Sequence, residues 1–235
     1  MKINCIWEHN GDDSILYADS FVGAFTRGAS IQEAILKMPE EIRRFRLWQG
    51  ETPLDDYDIE IVQEKRSGLQ IKDADSDVLF KSEEEPLSAE EYQYLKSLAM
   101  KSAADFHTLY VSFPDKHKSF LPYRKTFYGS VPRTAEEMYQ HTKNVNEYYF
   151  SEIGVKADNE GTIVSCRARG FEALEAITGY LSFETVTGSY DEQWSVRKAL
   201  RRFIWHDRIH AKAMYRMGIR TFGADVIPDI FRFTQ

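Results

Sequence analysis

The chain has 235 residues, of which 43% are hydrophobic and 29% charged, a composition typical of a globular protein. Its formal net charge of −7 argues against nucleic acid as a partner, because a general nucleic-acid binder carries a basic surface. Two cysteines exclude a disulfide framework beyond a single bridge. Neither a signal peptide nor a run near the ~18 apolar residues of a membrane span is visible, so we expect a cytoplasmic protein outside the membrane.

Residues 1 to about 80 show the pattern of short strands around a single helix. Strands are predicted at 3–7, 14–18, 24–27, 58–63 and 69–72. Ser30 and Glu33 form a capping box that begins the helix, whose apolar residues recur at helical spacing as far as Phe45. Pro39 lies inside this pattern, so we expect a kink there or two short helices.

A polar segment at 81–86 has the composition of a linker, and helical patterns follow it. Helices are predicted at about 88–111, 134–152, 166–181 and 195–217, with capping boxes at Ser88 and Thr134 and a terminating Gly218. Four helices joined by loops of unequal length predict a bundle with at least one crossover. The sequence therefore predicts an α+β protein, with a small α/β module at 1–82 and a four-helix bundle at 83–235.

Three histidines lie on the predicted inward faces of two helices. His206 and His210 are four residues apart on the last helix, so that both project from one face, and His141 lies on the second helix of the bundle. Three imidazoles that leave a coordination position open are typical of a catalytic metal centre. The alternative is that a hydroxyl or carbonyl satisfies each histidine separately. His107, on the first bundle helix, is a further candidate ligand.

Asp207 directly follows the first histidine of the pair, where a metalloprotease helix would carry glutamate. It is our candidate catalytic group, as a partner of a metal ligand or as a proton acceptor near a metal-bound water. The alternative, which we favour, is an ion pair at the surface or between helices.

A basic cluster, Arg197, Lys198, Arg201 and Arg202, begins the last helix. A run of charges on a helix is usually a solvated face, and we interpret the cluster in that way. The alternative is a site for an anion.

The second half of the chain resembles the DinB-like family of four-helix-bundle proteins. The resemblance depends on His141 within MYQHTKNVNEYY and on the segment RRFIWHDRIHAKAM. It implies an up-down-down-up bundle and a divalent metal ion, zinc or nickel, held by His141, His206 and His210. It also implies frequent dimerisation, and relatives include transferases and isomerases that use a low-molecular-weight thiol.

The first half resembles the HicB-like antitoxin fold, a small RNase H-like module. The stretch ILYADSFVGAFTRGASIQEAILKMPEEI carries the resemblance, through its strands, glycine-containing turn, capping box and helix. Val22-Gly23 stands where a more proline-rich loop is common. The resemblance does not imply an antitoxin, because such modules also occur fused to other domains.

Together these patterns predict a metal-dependent enzyme that activates water or a thiol for transfer, isomerisation or hydrolysis of a small molecule. The alternative is a non-catalytic protein in which the first half recognises a partner protein and the bundle is a dimerisation scaffold. A third possibility is that the histidines bind nothing. From the apolar and aromatic content of the helices we expect a homodimer through faces of the bundle, and sedimentation as a monomer at micromolar concentration would contradict this expectation.

Overall fold

The computed structural model describes residues 1–11, 13–54, 56–73, 75–126 and 129–234. The chain is a mixed α+β protein, as the sequence predicts. A four-stranded sheet has the order β3-β2-β1-β4, in which β1 is antiparallel to β2 and parallel to β4. Its strands are β1 Lys2–His9, β2 Ser14–Ala18, β3 Phe25–Gly28 and β4 Asp58–Arg66. The strand predicted at 69–72 is wrong, because Ile71–Asp73 forms a single 3-10 turn instead.

A long helix, α1, spans Ile31–Gln49 and covers one face of the sheet. Ser30 accepts a hydrogen bond from the Glu33 amide at 3.3 Å, while the Glu33 carboxylate accepts one from the Ala29 amide at 2.9 Å. Pro39 lies inside this one helix, so the expectation of two short helices is wrong. Proline removes a single backbone hydrogen bond, and the buried stripe around Met38 that packs on the sheet holds the helix together across it.

Four further helices form the second half. They are α2 Ala89–Val111, α3 Ala135–Glu152, α4 Ile163–Glu175 and α5 Val196–Phe222. The capping boxes at Ser88 and Thr134 are both present. The fourth helix is shorter than predicted, and α5 continues past Gly218. That glycine is needed for close packing, since a Cβ there would lie 2.6 Å from the Phe113 ring.

Contacts between the helices give their relative directions. α2 and α5 run the same way, because Glu91 meets Arg197 near their starts and Phe113 meets Phe222 near their ends. α3 and α4 also run the same way. The Ile163 amide at the start of α4 donates a hydrogen bond to the Tyr139 hydroxyl near the start of α3, and Phe150 packs against Phe171 nearer the ends of both helices. The two pairs are antiparallel to each other, since Phe171 and Arg167 of α4 meet Phe203 and Asp207 of α5 in reverse order.

Helix α5 lies between the other three helices of the bundle and the sheet. On one side Phe203 and Met214 belong to the main core, and on the other Trp205 packs against Tyr17 and Phe25 of the sheet. The strands β2 and β3 are therefore covered on both faces, by α1 and by α5, whereas most residues of β4 are exposed. The β2–β3 loop approaches α5 so closely that a Cβ on Gly23 would lie 2.3 Å from the Ile204 side chain, and its φ of +101° also favours glycine.

In the segment predicted as a linker, Glu83 is buried, whereas residues 81, 82 and 84–86 are exposed. Lys81–Glu83 forms a 3-10 turn, and Glu83 is buried in an ion pair with Arg201 of α5. One continuous core also includes residues from both halves, such as Ile3 and Phe106. The linker prediction and the division into domains at 82 and 83 both stay predictions. Among the described residues, each helix is either too short or too polar to cross a membrane.

Candidate metal centre

His141, His206 and His210 come together between α3 and α5. One ring nitrogen from each can be chosen so that all three lie within 4.8 Å of one another. The ring centroids are 4.4 Å apart for His206 and His210, 4.6 Å for His141 and His210, and 5.2 Å for His141 and His206. Two features bring the rings together. The i, i+4 spacing places the rings of His206 and His210 on one face of α5. The packing of α3 against α5 then places the ring of His141 opposite them.

The three rings differ in exposure. His206 is buried, His210 is half-buried and His141 is exposed. The expectation that all three face the interior is therefore wrong for His141, which lies at the solvent edge of the interface between α3 and α5. A group bound by the three rings would be reached from the side of His141.

The environment of the rings keeps them neutral. Burial, followed by the proximity of His210 and His141, lowers the pKa of His206 well below its usual range. Burial and the neighbouring His141 lower the pKa of His210 to about 3, and burial also lowers the pKa of His141. Neutral imidazole is the form that binds a metal ion, so no proton has to leave at neutral pH.

One buried nitrogen of the cluster lacks a hydrogen bond. Nδ1 of His206 has no partner among the residues that the structure describes. An unpaired polar atom in the interior costs free energy of roughly 1–3 kcal/mol, and a bound ion or water would remove that cost. The donor set of three imidazoles is one that zinc and nickel accept.

Tyr149 and Arg202 lie next to His206, and the sequence pattern had not connected either residue with the site. The buried Tyr149 ring meets the His206 ring edge to face, with centroids 5.9 Å apart. The Arg202 guanidinium lies over that same tyrosine ring at 5.4 Å, and its Nη1 donates to the Ser76 carbonyl at 2.7 Å. Arg202 precedes His206 by four residues, so the helical spacing was the signal that could have placed it beside the cluster.

The contacts of the Asp207 carboxylate do not fit a role as a free base. Its two carboxylate oxygens accept hydrogen bonds from the Arg167 guanidinium, one of them at 3.0 Å, and the Ser102 hydroxyl donates at 2.5 Å. All three residues are fully buried. The structure thus places Asp207 in an ion pair between helices, which was the alternative, and these contacts give the predicted catalytic role no support.

The basic cluster is not a solvated face. Lys198 is fully buried, with Glu192 at 2.8 Å and the carbonyls of Gln193 and Asp77 at 2.6 and 2.9 Å. Burial lowers the pKa of Lys198 to about 8. Arg201 is also buried, bonded to Glu83 and to the Val78 carbonyl at 2.9 Å. The interpretation fails because α5 is covered on several sides, so that its charged residues have protein partners instead of water.

The other histidines stay apart from the centre. His107 lies within hydrogen-bonding distance of the Tyr139 hydroxyl at 3.1 Å and is not part of the cluster. His9 contacts Glu64 at the far edge of the sheet, and His117 is exposed in the loop after α2. The prediction of His107 as a further ligand therefore has no support in the geometry.

A comparison of the chain with family models, curated proteins and solved structures found no match.

Proposed function

We propose that this protein is a divalent-metal-dependent enzyme of the DinB-like type, acting on a small molecule. The observation that carries the proposal is the convergence of the three histidine rings, with ligand nitrogens within 4.8 Å of one another. The unpaired Nδ1 of His206 and the neutral state of the rings support it. The relative directions of α2 to α5 are also those of an up-down-down-up bundle, which supports the resemblance.

In this proposal His206 and His210 hold the ion from one helix and His141 closes the set from the other. A bound zinc or nickel ion would lower the pKa of a water or thiol ligand and so supply a nucleophile at neutral pH. His141 lies at the solvent edge, so a small substrate or a low-molecular-weight thiol enters from that side. Tyr149 closes the opposite, buried side of the histidines and excludes water there.

The first test is metal content. The full-length protein, purified without a histidine tag or chelator, is measured by elemental mass spectrometry beside His206→Ala and the exposed control His117→Ala. We expect about one zinc or nickel ion per chain in the wild type and in the control, and a loss of the ion in His206→Ala. Absence of metal from all three, even after divalent ions are added back, would overturn the proposal.

A second measurement separates an enzyme from a scaffold. Replacement by cobalt gives a centre whose visible spectrum reports coordination number. An enzyme site has an open position, so added small thiols should change the spectrum. A spectrum that no small ligand changes would favour the non-catalytic alternative, in which a fourth protein ligand closes the site.

A further inference from the structure

A second site candidate lies away from the histidines, in a cleft of about 260 Å³. The cleft is formed where the loop after β2 and the turn at Lys81–Glu83 meet the first turns of α2 and α5. Val22, Phe80 and Leu95 provide apolar walls, and Asp19 and Arg201 are among its polar residues. Small-molecule sites are commonly apolar clefts of this kind with a few placed polar groups, where separate structural units meet.

Arg201, one of the residues that line this cleft, has an unused hydrogen-bond donor. Its side chain is only 3% exposed, and its Nε and Nη2 are bonded to Glu83 and to the Val78 carbonyl. Its Nη1 has no hydrogen-bond partner among the described residues. A buried guanidinium nitrogen without a partner is costly, so a ligand with an acceptor oxygen would be stabilised there.

The charges of the cleft restrict the ligand further. Arg201 is paired with Glu83, and Arg197, also in the lining, is paired with Glu91 at 3.0 Å. Asp19 adds a carboxylate that no cation balances in the described structure, and it accepts a hydrogen bond from the Ser82 hydroxyl at 2.6 Å. The residues that line the cleft therefore carry a formal net charge of −1, which disfavours binding of a simple anion. A ligand that carries both a carboxylate and an ammonium group can pair with Arg201 through the first and with Asp19 through the second.

We propose that this cleft binds a small zwitterion, an α-amino acid with an apolar side chain. Its carboxylate accepts from Nη1 of Arg201, its ammonium group pairs with Asp19, and its side chain packs on Val22, Phe80 and Leu95. The volume admits a molecule of the size of leucine. Because the cleft joins both halves of the chain, the bound amino acid stabilises their contact. The proposal does not depend on the metal centre.

The test uses titration calorimetry on the full-length, metal-free protein. L-Leucine and L-phenylalanine are compared with 4-methylpentanoate, which lacks the ammonium group, and with isopentylamine, which lacks the carboxylate. We expect saturable binding of at least one amino acid and binding at least about tenfold weaker for each analogue, since a site built for a polar group rejects a ligand without it. Absence of binding by both amino acids, or equal binding of 4-methylpentanoate, would overturn the proposal.

A variant assigns any binding to this cleft. Asp19→Asn keeps an oxygen for the Ser82 hydroxyl but removes the charge, whereas an Arg201 variant would leave Glu83 buried without its partner and could fail to fold. We expect Asp19→Asn to weaken amino-acid binding about tenfold or more, because it removes one charged pair. The exposed Asp225→Asn is the matched control and should bind as the wild type does. Unchanged binding in Asp19→Asn would contradict the assignment.

Discussion

Asp207 and Arg167 form an ion pair that is fully buried between α5 and α4. Both carboxylate oxygens accept from the guanidinium, and the Ser102 hydroxyl of α2 donates to one of them. Three helices of the bundle are therefore linked at one carboxylate, immediately beside a histidine of the candidate metal centre. Position in the sequence suggested catalysis for Asp207, whereas its contacts indicate a structural role.

The first prediction concerns this pair. Asp207→Ala leaves the Arg167 charge buried without a partner, and we expect a loss of about 3–5 kcal/mol in the free energy of unfolding. Replacing both residues by apolar ones, as Asp207→Leu with Arg167→Met, should recover much of that loss. Urea unfolding measures both effects. A stable Asp207→Ala protein that has lost its metal or its activity would instead restore the catalytic role.

A second prediction separates two histidines by their exposure. His141 is exposed and His206 is buried, although both would be ligands. His141→Ala should weaken zinc binding by at least about tenfold, since one ligand is lost. It should change the free energy of unfolding of the metal-free protein by less than about 0.5 kcal/mol.

The check for His141 combines a competition titration against a chromophoric chelator with thermal unfolding of the metal-free protein. His206→Ala, which opens space in the core, should lower both zinc affinity and stability. Equal zinc affinity in His141→Ala and wild type would remove His141 from the ligand set.

The third prediction concerns the pH dependence of stability. Burial raises the pKa of Glu8 from its ordinary 4.5 to about 7, although the Ser76 hydroxyl and the Asp77 amide both donate to it. The folded protein therefore holds this proton more tightly than the unfolded chain does. The stability that protonated Glu8 contributes is complete below about pH 4.5 and is lost as the pH rises through about 7.

Glu8→Gln removes this titration while keeping the size of the side chain. The free energy of unfolding of the wild type, relative to that of the variant, should fall between pH 5 and pH 8, by on the order of 3 kcal/mol at most. Urea unfolding at several pH values measures the difference, in which other titrating groups cancel. Parallel profiles for the two proteins would show that Glu8 does not titrate in this range.

The fourth prediction tests the packing at the end of α5. A Cβ on Gly218 would lie 2.6 Å from the Phe113 ring and 3.1 Å from Ile227, so Gly218→Ala should cost about 1–3 kcal/mol despite the better helix propensity of alanine. Gly68→Ala is the control, because a methyl group there would have no atom within 4 Å among the described residues. Thermal unfolding compares the two variants. A Gly218→Ala protein as stable as the Gly68→Ala control would contradict the close approach of α5 to Phe113.

The sequence by itself determined the features that depend on neighbouring residues. The capping boxes at Ser88 and Thr134 were predictable, because each depends on a side chain and a backbone amide three residues apart. The shared face of His206 and His210 was predictable from the helical period for the same reason. That His141 joins them was an inference from the pattern of two helices and from the resemblance, and the structure brings the three rings together.

Only the tertiary structure decided the surroundings of these elements. Asp207 meets Arg167 across 40 residues of sequence, and Arg202 meets the Ser76 carbonyl across 126. Charged residues in a helix usually face water, and local spacing cannot show that α5 is covered both by the bundle and by the sheet. The burial of these charges, and with it the ion pair of Asp207 with Arg167, follows from contacts between distant parts of the chain.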